Sequence, residues 1–352
     1  MRSTEKLTIH LEQILIGLVF ITLAAFTYVN FFKILYFGFD FSNGYIVELH
    51  TELENSQLHI GDRLVKVGEV HWDDFNGNTV ETLFENVAAG DTVLLLVERE
   101  GIQLSIPWTI PGINRQAILA QLVNNWWLAY VFWLAAAVTY LFVRPRDTRW
   151  HLLIAFNLLT ALWLSAGSIS RWHIWYSSLI LKTTIWMCIP VYWHLHWLFP
   201  RPLSQLPSKL IWGGYIISGI LIVLELLQVL PPSLYLLGFL LAIAGILALL
   251  IAHAMLQPDQ RESLQLLIKI VPLLLLPIIV GSFAALMGNF NLISLSLLGL
   301  PLLPIAYIYV IYRHRLGKLE LRANRVIILY LYFIVLLSFA LLVGVFFSRL
   351  FD

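Results

Sequence analysis

Cysteine and charge are both scarce in this chain of 352 residues. Cys188 is the only cysteine, so an intramolecular disulfide is impossible and cysteine usage says nothing about the redox compartment. Asp, Glu, Lys and Arg make up only 12% of the residues, whereas soluble domains average about 25%. The net charge of +1 gives no signal for nucleic-acid binding. The composition is therefore not that of an ordinary soluble protein.

Sequence motifs for common chemistries are missing as well. A site-2 metalloprotease needs H-E-x-x-H to hold zinc and supply a general base, but none of the ten histidines is followed by glutamate. The stretch Ser165-Ala166-Gly167-Ser168 is a weak candidate for a serine protease, and small-residue packing between helices explains it better. The sequence has no Walker motif, no Rossmann glycine pattern and no kinase phosphoacceptor or ATP-binding region. We expect no catalytic residues, no metal and no cofactor.

Long hydrophobic runs make up most of the sequence. Hydrophobic residues make up 59% of the chain, and the mean hydropathy is +0.81. Runs of about 20 apolar residues are long enough to cross roughly 30 Å of hydrocarbon. The first run is too long for a cleaved signal peptide, and no A-x-A-like site follows it. We predict nine spans, at 12–36, 125–143, 150–168, 174–199, 210–230, 233–255, 266–288, 292–312 and 326–348.

Lysine and arginine are distributed unevenly among the connections between these spans. With the N-terminus in the cytoplasm, most basic residues fall on the inner side, as the positive-inside rule expects. They are Arg2, Lys6, Arg144, Arg146, Arg149, Arg201, Lys209, Arg261, Lys269, Arg313, Arg315, Lys318, Arg322 and Arg325. The short outer connections keep only Arg171 and Arg349. We therefore predict residues 38–112 outside, and an odd number of spans would leave Asp352 outside too.

The region from 38 to 112 has the pattern of a small folded domain. Four strands are predicted, at 45–50, 63–67, 92–98 and 103–108. Apolar residues at helical spacing predict a helix over 79–87, with Asn78 as its N-cap and Gly90 as its stop. The expected organisation is an anchor with the first transmembrane helix (1–37), this β/α domain (38–112), and an eight-helix transmembrane bundle (113–352).

Two segments of this domain resemble PDZ domains. The run from Leu58 to Gly68, LHIGDRLVKVG, is similar to the family's G-L-x-x-G-D-x-I-x-x-V-N/D-G, and the run from Gly90 to Gly101 is similar to its closing strand. Tyr36-Phe37-Gly38-Phe39 is similar to its carboxylate-binding loop, although Asn55-Ser56-Gln57 replaces the usual Pro/Ala. The fold class implied is an α-helical polytopic membrane protein with a PDZ-like domain between spans 1 and 2.

The resemblance implies a peptide groove. An extended peptide would add a strand to the sheet edge, and the loop N–H groups would capture its terminal carboxylate. Gly38 would let the backbone approach that carboxylate closely. The candidate groove residues are Tyr36, Phe37, Gly38, Phe39, Val80 and Leu83. The alternative is an occluded groove that serves as a spacer or as a dimer contact.

Four polar residues stand out within the predicted spans. Lys182 and Glu225 lie in the outer halves of consecutive spans, where ionisable groups usually face the bundle interior, so they are candidates for an ion pair and for a role in ligand reception. His194 and His196 are two residues apart, on different faces of a helix, so shared metal binding is not expected. Six tryptophans near span ends are candidates for an interfacial belt or, alternatively, a ligand cage: Trp126, Trp127, Trp172, Trp175, Trp193 and Trp197.

The arrangement of one span, a PDZ-like domain and a helical bundle resembles the sensory half of ComP-type quorum-sensing histidine kinases. The stretch from Trp193 to Pro200 resembles an H-L-x-x-F-P ending of their multi-span regions, and Arg313-His314-Arg315-Leu316 is similar to a following R-H-R-L. The resemblance implies a bacterial cytoplasmic (inner) membrane, an extracellular peptide or small lipophilic ligand, membrane lipid, and a cytoplasmic kinase domain or partner protein; it would also allow a homodimer. That kinase is not in this chain, and within one protein it would follow a tenth crossing beyond residue 352.

Two other functions compete with such a receptor. A membrane adaptor would use the PDZ-like domain to present partners to a protease or an assembly factor. A transporter would show internal repeats and broken helices at the midplane; no clear repeat is present, and intramembrane charge is too sparse for an ion pathway. Of these three functions, the sequence favours the receptor most and the transporter least.

Overall fold

A computed structural model describes most of the chain in two parts, a small sheet domain and a set of long helices. The described residues are 3–42, 44–49, 57–84, 87–111, 125–199, 201–204, 208–257, 261–286, 296–314 and 320–321. Within these ranges the helices are α1 (Ser3–Phe32), α2 (Trp72–Gly77), α3 (Leu128–Phe142), α4 (Thr148–Ile169), α5 (Ser177–Leu198), α6 (Ser208–Leu226), α7 (Leu234–Leu256), α8 (Arg261–Leu286) and α9 (Leu302–His314).

Seven of the described helical segments are long and apolar enough to cross a membrane, as expected of a multi-pass membrane protein. They are His10–Phe32, Asn125–Phe142, Thr148–Trp172, Ile174–Leu198, Lys209–Leu226, Leu234–Leu256 and Leu267–Ala284. These correspond to the first seven predicted spans, although the first ends at Phe32 rather than at residue 36. The eighth prediction falls on a shorter apolar helical segment, Leu297–Ile311. The ninth, 326–348, lies outside the described residues.

Helix α5 lies at the centre of the helical packing. It contacts α4, α6 and α7, while α4 also contacts α1 and α3, and α8 packs between α7 and α9. Burial differs sharply among them: 72% of the spanning window of α4 is buried, compared with 11% of that of α6. Because Ile216, Ile217 and Ile220 of α6 are exposed, most of the surface of this helix is not covered by the other described residues.

The sheet domain is an antiparallel sheet inserted between α1 and α3. Its strands are β1 (Phe39–Ser42), β2 (Tyr45–Leu49), β3 (Arg63–Val67), β4 (Val70–His71), β5 (Thr92–Arg99) and β6 (Ile102–Thr109). Their order is β1-β2-β3-β5-β6, with β4 paired to β3. The register of β5 on β6 runs from Thr92 opposite Thr109 to Arg99 opposite Ile102. A separate short pair, β7 (Val143–Arg144) with β8 (Glu320–Leu321), lies at the other end of the helices.

The strand predictions are confirmed, but the predicted helix over 79–87 is wrong. The helix of this region is α2, which begins at Trp72 and carries Asp73 and Asp74 in its first turn, where carboxylates favour the helix dipole. Residues 79 and 80 form a turn, 83 and 84 form a bend, and none of residues 79–84 is helical. The side chain of Asn78 accepts the Val80 N–H at 3.0 Å. That local bond favours a turn over a helix, and the neighbouring β-branched residues are weak helix formers. Residues 85 and 86 are outside the described part.

One buried carboxylate ties the sheet domain together. Asp62 is 2% exposed and accepts hydrogen bonds from Arg99 Nε and Nη2, each at 2.7 Å, and from the His59 N–H at 2.8 Å. Burial by itself would raise the pKa of Asp62, but the bonds from Arg99 and His59 outweigh it and hold this pKa below its usual value. Gly61, with φ +96°, supplies the backbone turn before it. The Gly-Asp pair of the sequence is therefore a structural clamp between β3 and β5.

Candidate functional site

The sheet domain contacts the ends of several membrane helices. Chain continuity joins β1 to α1, and two side-chain contacts add to it. Arg171, just past α4, lies 3.1 Å from Asp40 of β1. Gln228, just past α6, donates to Asn78 Oδ1 at 3.2 Å. The domain is therefore attached to the helices at sequence positions far apart from one another.

The central contact is made by three consecutive residues, Arg171-Trp172-His173, called the docking segment. Its side chains contact residues 37–41 and the turn segment 78–84 of the sheet domain. The region bounded by these two walls is called the docking cleft. The ring of Trp172 contacts rings from both walls, with centroid distances of 4.8 Å to Phe37, 5.4 Å to Phe41 and 6.3 Å to Phe84. Trp172 is only 7% exposed. Its assignment to an interfacial belt is therefore wrong, because its ring packs against protein.

His173 fixes the docking segment to the turn segment. Its Nδ1–H donates to the Glu81 carbonyl at 2.9 Å, and its ring stacks on Phe75 with centroids 4.3 Å apart. Burial lowers the pKa of His173 to about 4, and the positive charge of Lys182 acts in the same direction, while backbone carbonyls of Glu81 and Asn78 oppose the shift. The imidazole in this contact is therefore neutral at neutral pH.

Acid is expected to weaken this contact. Between pH 6.5 and 4 an unfolded histidine binds a proton while the docked His173 does not, so stability falls as the pH falls through this window. From pH 7 to pH 5 the loss should be roughly 1–2 kcal/mol, allowing for partial exposure. The check is the thermal unfolding midpoint of the full chain in nanodiscs at both pH values. His173→Gln, which keeps an N–H donor, should lose this part of the pH dependence; equal pH dependence in both proteins would contradict the assignment.

The backbone around the docking segment is strained. Two short 3₁₀ turns, Ser170–Trp172 and Ile174–Tyr176, replace a regular loop between α4 and α5. His173, Trp175 and Tyr176 have φ of 55°, 51° and 59°, in the left-handed region, which costs a non-glycine residue roughly 1–2 kcal/mol. Strain of this kind persists only where surrounding contacts hold it. Here the contacts of Trp172 and His173 with the sheet domain hold it.

The groove residues proposed from the sequence lie at or beside this cleft. Phe37 stacks on Phe84, with centroids 3.8 Å apart, and Phe39 and Leu83 are buried. Tyr36 is half-buried and Val80 is 40% exposed. Gly38, with φ +79°, turns the chain into β1, and the Phe37 carbonyl accepts the Trp108 Nε1–H at 2.8 Å. Most of these residues therefore pack inward.

The ion pair suggested by the sequence lies close to the docking segment. Lys182 Nζ is 3.3 Å from Glu225 Oε1, and both side chains are almost fully buried. Trp186 Nε1–H donates to the other carboxylate oxygen at 3.1 Å, and the Lys182 ammonium lies 5.9 Å from the centre of the Tyr235 ring. The pair connects α5 and α6, with Tyr235 of α7 beside it. The sequence prediction of the pairing is confirmed; a role in ligand reception stays a prediction.

The two histidines of α5 point in different directions, as their spacing predicts. His196 is fully buried and hydrogen-bonds the Tyr307 hydroxyl through Nε2, whereas His194 Nδ1 lies 3.2 Å from the Tyr215 hydroxyl. His194 and Tyr215 line a cavity of about 720 Å³ between the C-terminal part of α5 and the N-terminal part of α6. Among the residues the structure describes, no three His, Cys, Asp or Glu side chains are grouped to hold a metal ion.

A partly buried polar contact that the sequence did not predict joins α1 to α4. Glu12 of α1 and His151 of α4 form a hydrogen-bonded pair at the end of the helices opposite the sheet domain. The signal available was an acidic residue inside an apolar span. Nothing in the sequence identifies a partner 139 residues away.

Comparisons of the chain with family models, curated proteins and solved structures found no match.

Proposed function

We propose that this chain is a non-enzymatic membrane receptor whose sheet domain detects an extracytoplasmic peptide or small lipophilic ligand. In this proposal the N-terminus lies in the cytoplasm of a bacterium and residues 38–112 lie outside, as the bias of basic residues favours. The signal passes through the helices to a cytoplasmic histidine-kinase output that is a separate partner or lies beyond this chain. The sheet domain is assigned to the PDZ-like class on its Gly61-Asp62 clamp and its closing β5–β6 hairpin.

The observation that carries this proposal is the position of the docking segment. Arg171-Trp172-His173 joins α4 to α5, the two helices at the centre of the packing, and its side chains lie in the cleft of the sheet domain. A ligand that changes this contact therefore acts directly on the ends of those helices. Such a ligand shifts the protein between two packings only by its differential affinity for them. A simple adaptor would instead present an open cleft to its partners.

The experiment compares the response to conditioned medium in three strains of the cells that produce this protein. Medium from a dense culture is added to sparse cells carrying the wild-type gene, a deletion, or Gly38→Val. The deletion should abolish the transcriptional response. Gly38→Val should reduce it strongly, because valine does not tolerate the φ of +79° beside the cleft. Immunoblotting of membranes shows whether each protein is present.

The matched control is Glu69→Gln, whose side chain is 99% exposed and should leave the response unchanged. A normal response in the deletion strain would overturn the receptor proposal. A normal response together with altered processing or abundance of other membrane proteins in that strain would favour the adaptor instead.

A further inference from the structure

The docking segment has the character of a bound peptide. Three consecutive side chains make three different kinds of contact in the cleft: Arg171 meets the Asp40 carboxylate, Trp172 meets the aromatic rings of both walls, and His173 meets the Glu81 carbonyl. Each side chain thus has its own complementary position. A merely structural joint could be made by apolar packing alone, without this succession of charge, ring and hydrogen bond.

Two further observations favour release of the segment from the cleft. The connector has left-handed backbone at His173, Trp175 and Tyr176, so departure from the cleft would release strain. The Arg171–Asp40 pair is partly exposed, at 47% and 32%, and such pairs contribute little to stability. The permanent clamp of the same domain, Asp62 with Arg99, is by contrast almost inaccessible at its carboxylate.

We infer that the docking segment is an internal occupant of a peptide site, and that the ligand which displaces it is a peptide with a basic residue next to an aromatic one. This inference rests on the proposed receptor function and names its ligand class. An apolar ligand alone would fill the place of Trp172 but would supply neither a cation that faces the Asp40 carboxylate nor an N–H donor for the Glu81 carbonyl. Unmade bonds of this kind select against such ligands. A peptide that carries both features restores the ion pair with Asp40 and the ring packing of Trp172.

The probe is the segment itself supplied in trans: a fluorescein-labelled, capped hexapeptide with the sequence of residues 169–174, Ile-Ser-Arg-Trp-His-Ile. Its binding to the full chain in nanodiscs is followed by fluorescence anisotropy. Trp172→Ala empties the centre of the cleft and should bind the peptide about 10-fold more tightly than wild type, in which the internal segment competes. The matched control is Trp175→Ala, in the same connector but 50% exposed, which should bind like wild type.

Two changes test the chemistry of the site. A peptide with alanine in place of tryptophan should not bind Trp172→Ala. Adding Asp40→Asn to Trp172→Ala should weaken binding of the parent peptide several-fold. If Trp172→Ala does not fold, as judged by gel filtration, Arg171→Ala replaces it and should show a smaller gain of the same sign.

The inference would be overturned if the hexapeptide bound neither wild type nor Trp172→Ala and Arg171→Ala, or if it bound all of them with equal affinity. Absent binding with a deletion strain that has lost its response would leave the receptor proposal standing. Peptide binding with a normal response in the deletion strain would overturn the receptor proposal, and with it the assignment of this peptide site to signalling.

Discussion

Replacing Lys182 with methionine is expected to destabilise the helical bundle by about 3–5 kcal/mol, because the Glu225 carboxylate would remain buried without its positive partner. Both side chains are almost fully buried, and the only other hydrogen bond described for that carboxylate comes from Trp186 Nε1. The measurement is thermal unfolding of the full chain in nanodiscs. The same variant should also change the response to conditioned medium, since Lys182 lies near His173 of the docking segment.

Two further variants separate the loss of pairing from the loss of a lysine. Lys209→Met removes an exposed basic residue at the start of α6 and should leave stability within about 0.5 kcal/mol of wild type. Lys182→Met combined with Glu225→Gln removes both charges and keeps an acceptor for Trp186. It should recover most of the loss, since a matched neutral pair avoids an uncompensated charge. Unchanged stability and unchanged signalling in Lys182→Met would refute both the structural and the functional role of the pair.

Replacing Asp62 with alanine is expected to destabilise the sheet domain by about 2–4 kcal/mol. The change removes two hydrogen bonds to Arg99 and one to the His59 N–H, all within 2.8 Å, and bonds to charged groups contribute about 1.5–3 kcal/mol. In the wild-type domain this contribution is present above the ordinary pKa of an aspartate and is lost as the pH falls through the lowered pKa of Asp62. Limited proteolysis of the full chain, followed by mass spectrometry, reports the opening of β3 and β5.

A series of three variants makes this second prediction specific, because their cleavage rates should follow a fixed order. Asp62→Asn keeps an acceptor for the His59 N–H but loses the charge that faces Arg99, so its effect should lie between those of wild type and Asp62→Ala. Asp73→Asn changes an exposed carboxylate of α2 and should alter cleavage only slightly. Equal cleavage rates for Asp62→Ala and Asp73→Asn would contradict the clamp.

The sequence alone determined the features that depend on neighbouring residues. Apolar runs of about 20 residues gave seven described helices close to their predicted bounds, because span length follows from membrane thickness. Alternating apolar residues located β3, since side chains alternate between the faces of a sheet. A long apolar run located β5, and the turn at Glu100-Gly101 located β6 after it. The Lys182–Glu225 pair was also predictable, because two ionisable residues at matching depths of consecutive spans have few other partners. The same local rules failed at 79–87, where the turn made by Asn78 prevails over helical spacing.

Only the tertiary structure decided how the sheet domain and the helices meet. Arg171 and Asp40 are 131 residues apart in sequence, and His173 and Glu81 are 92 apart. Neither contact leaves a periodic signal that one sequence can show. The sequence predicted an interfacial role for Trp172, because a position at a span end is typical of interfacial tryptophans. In the structure its ring instead packs against Phe37, Phe41 and Phe84, which belong to two segments far from it in sequence. Local pattern fixes which face of an element is apolar, but which surface covers that face depends on how the elements assemble in three dimensions.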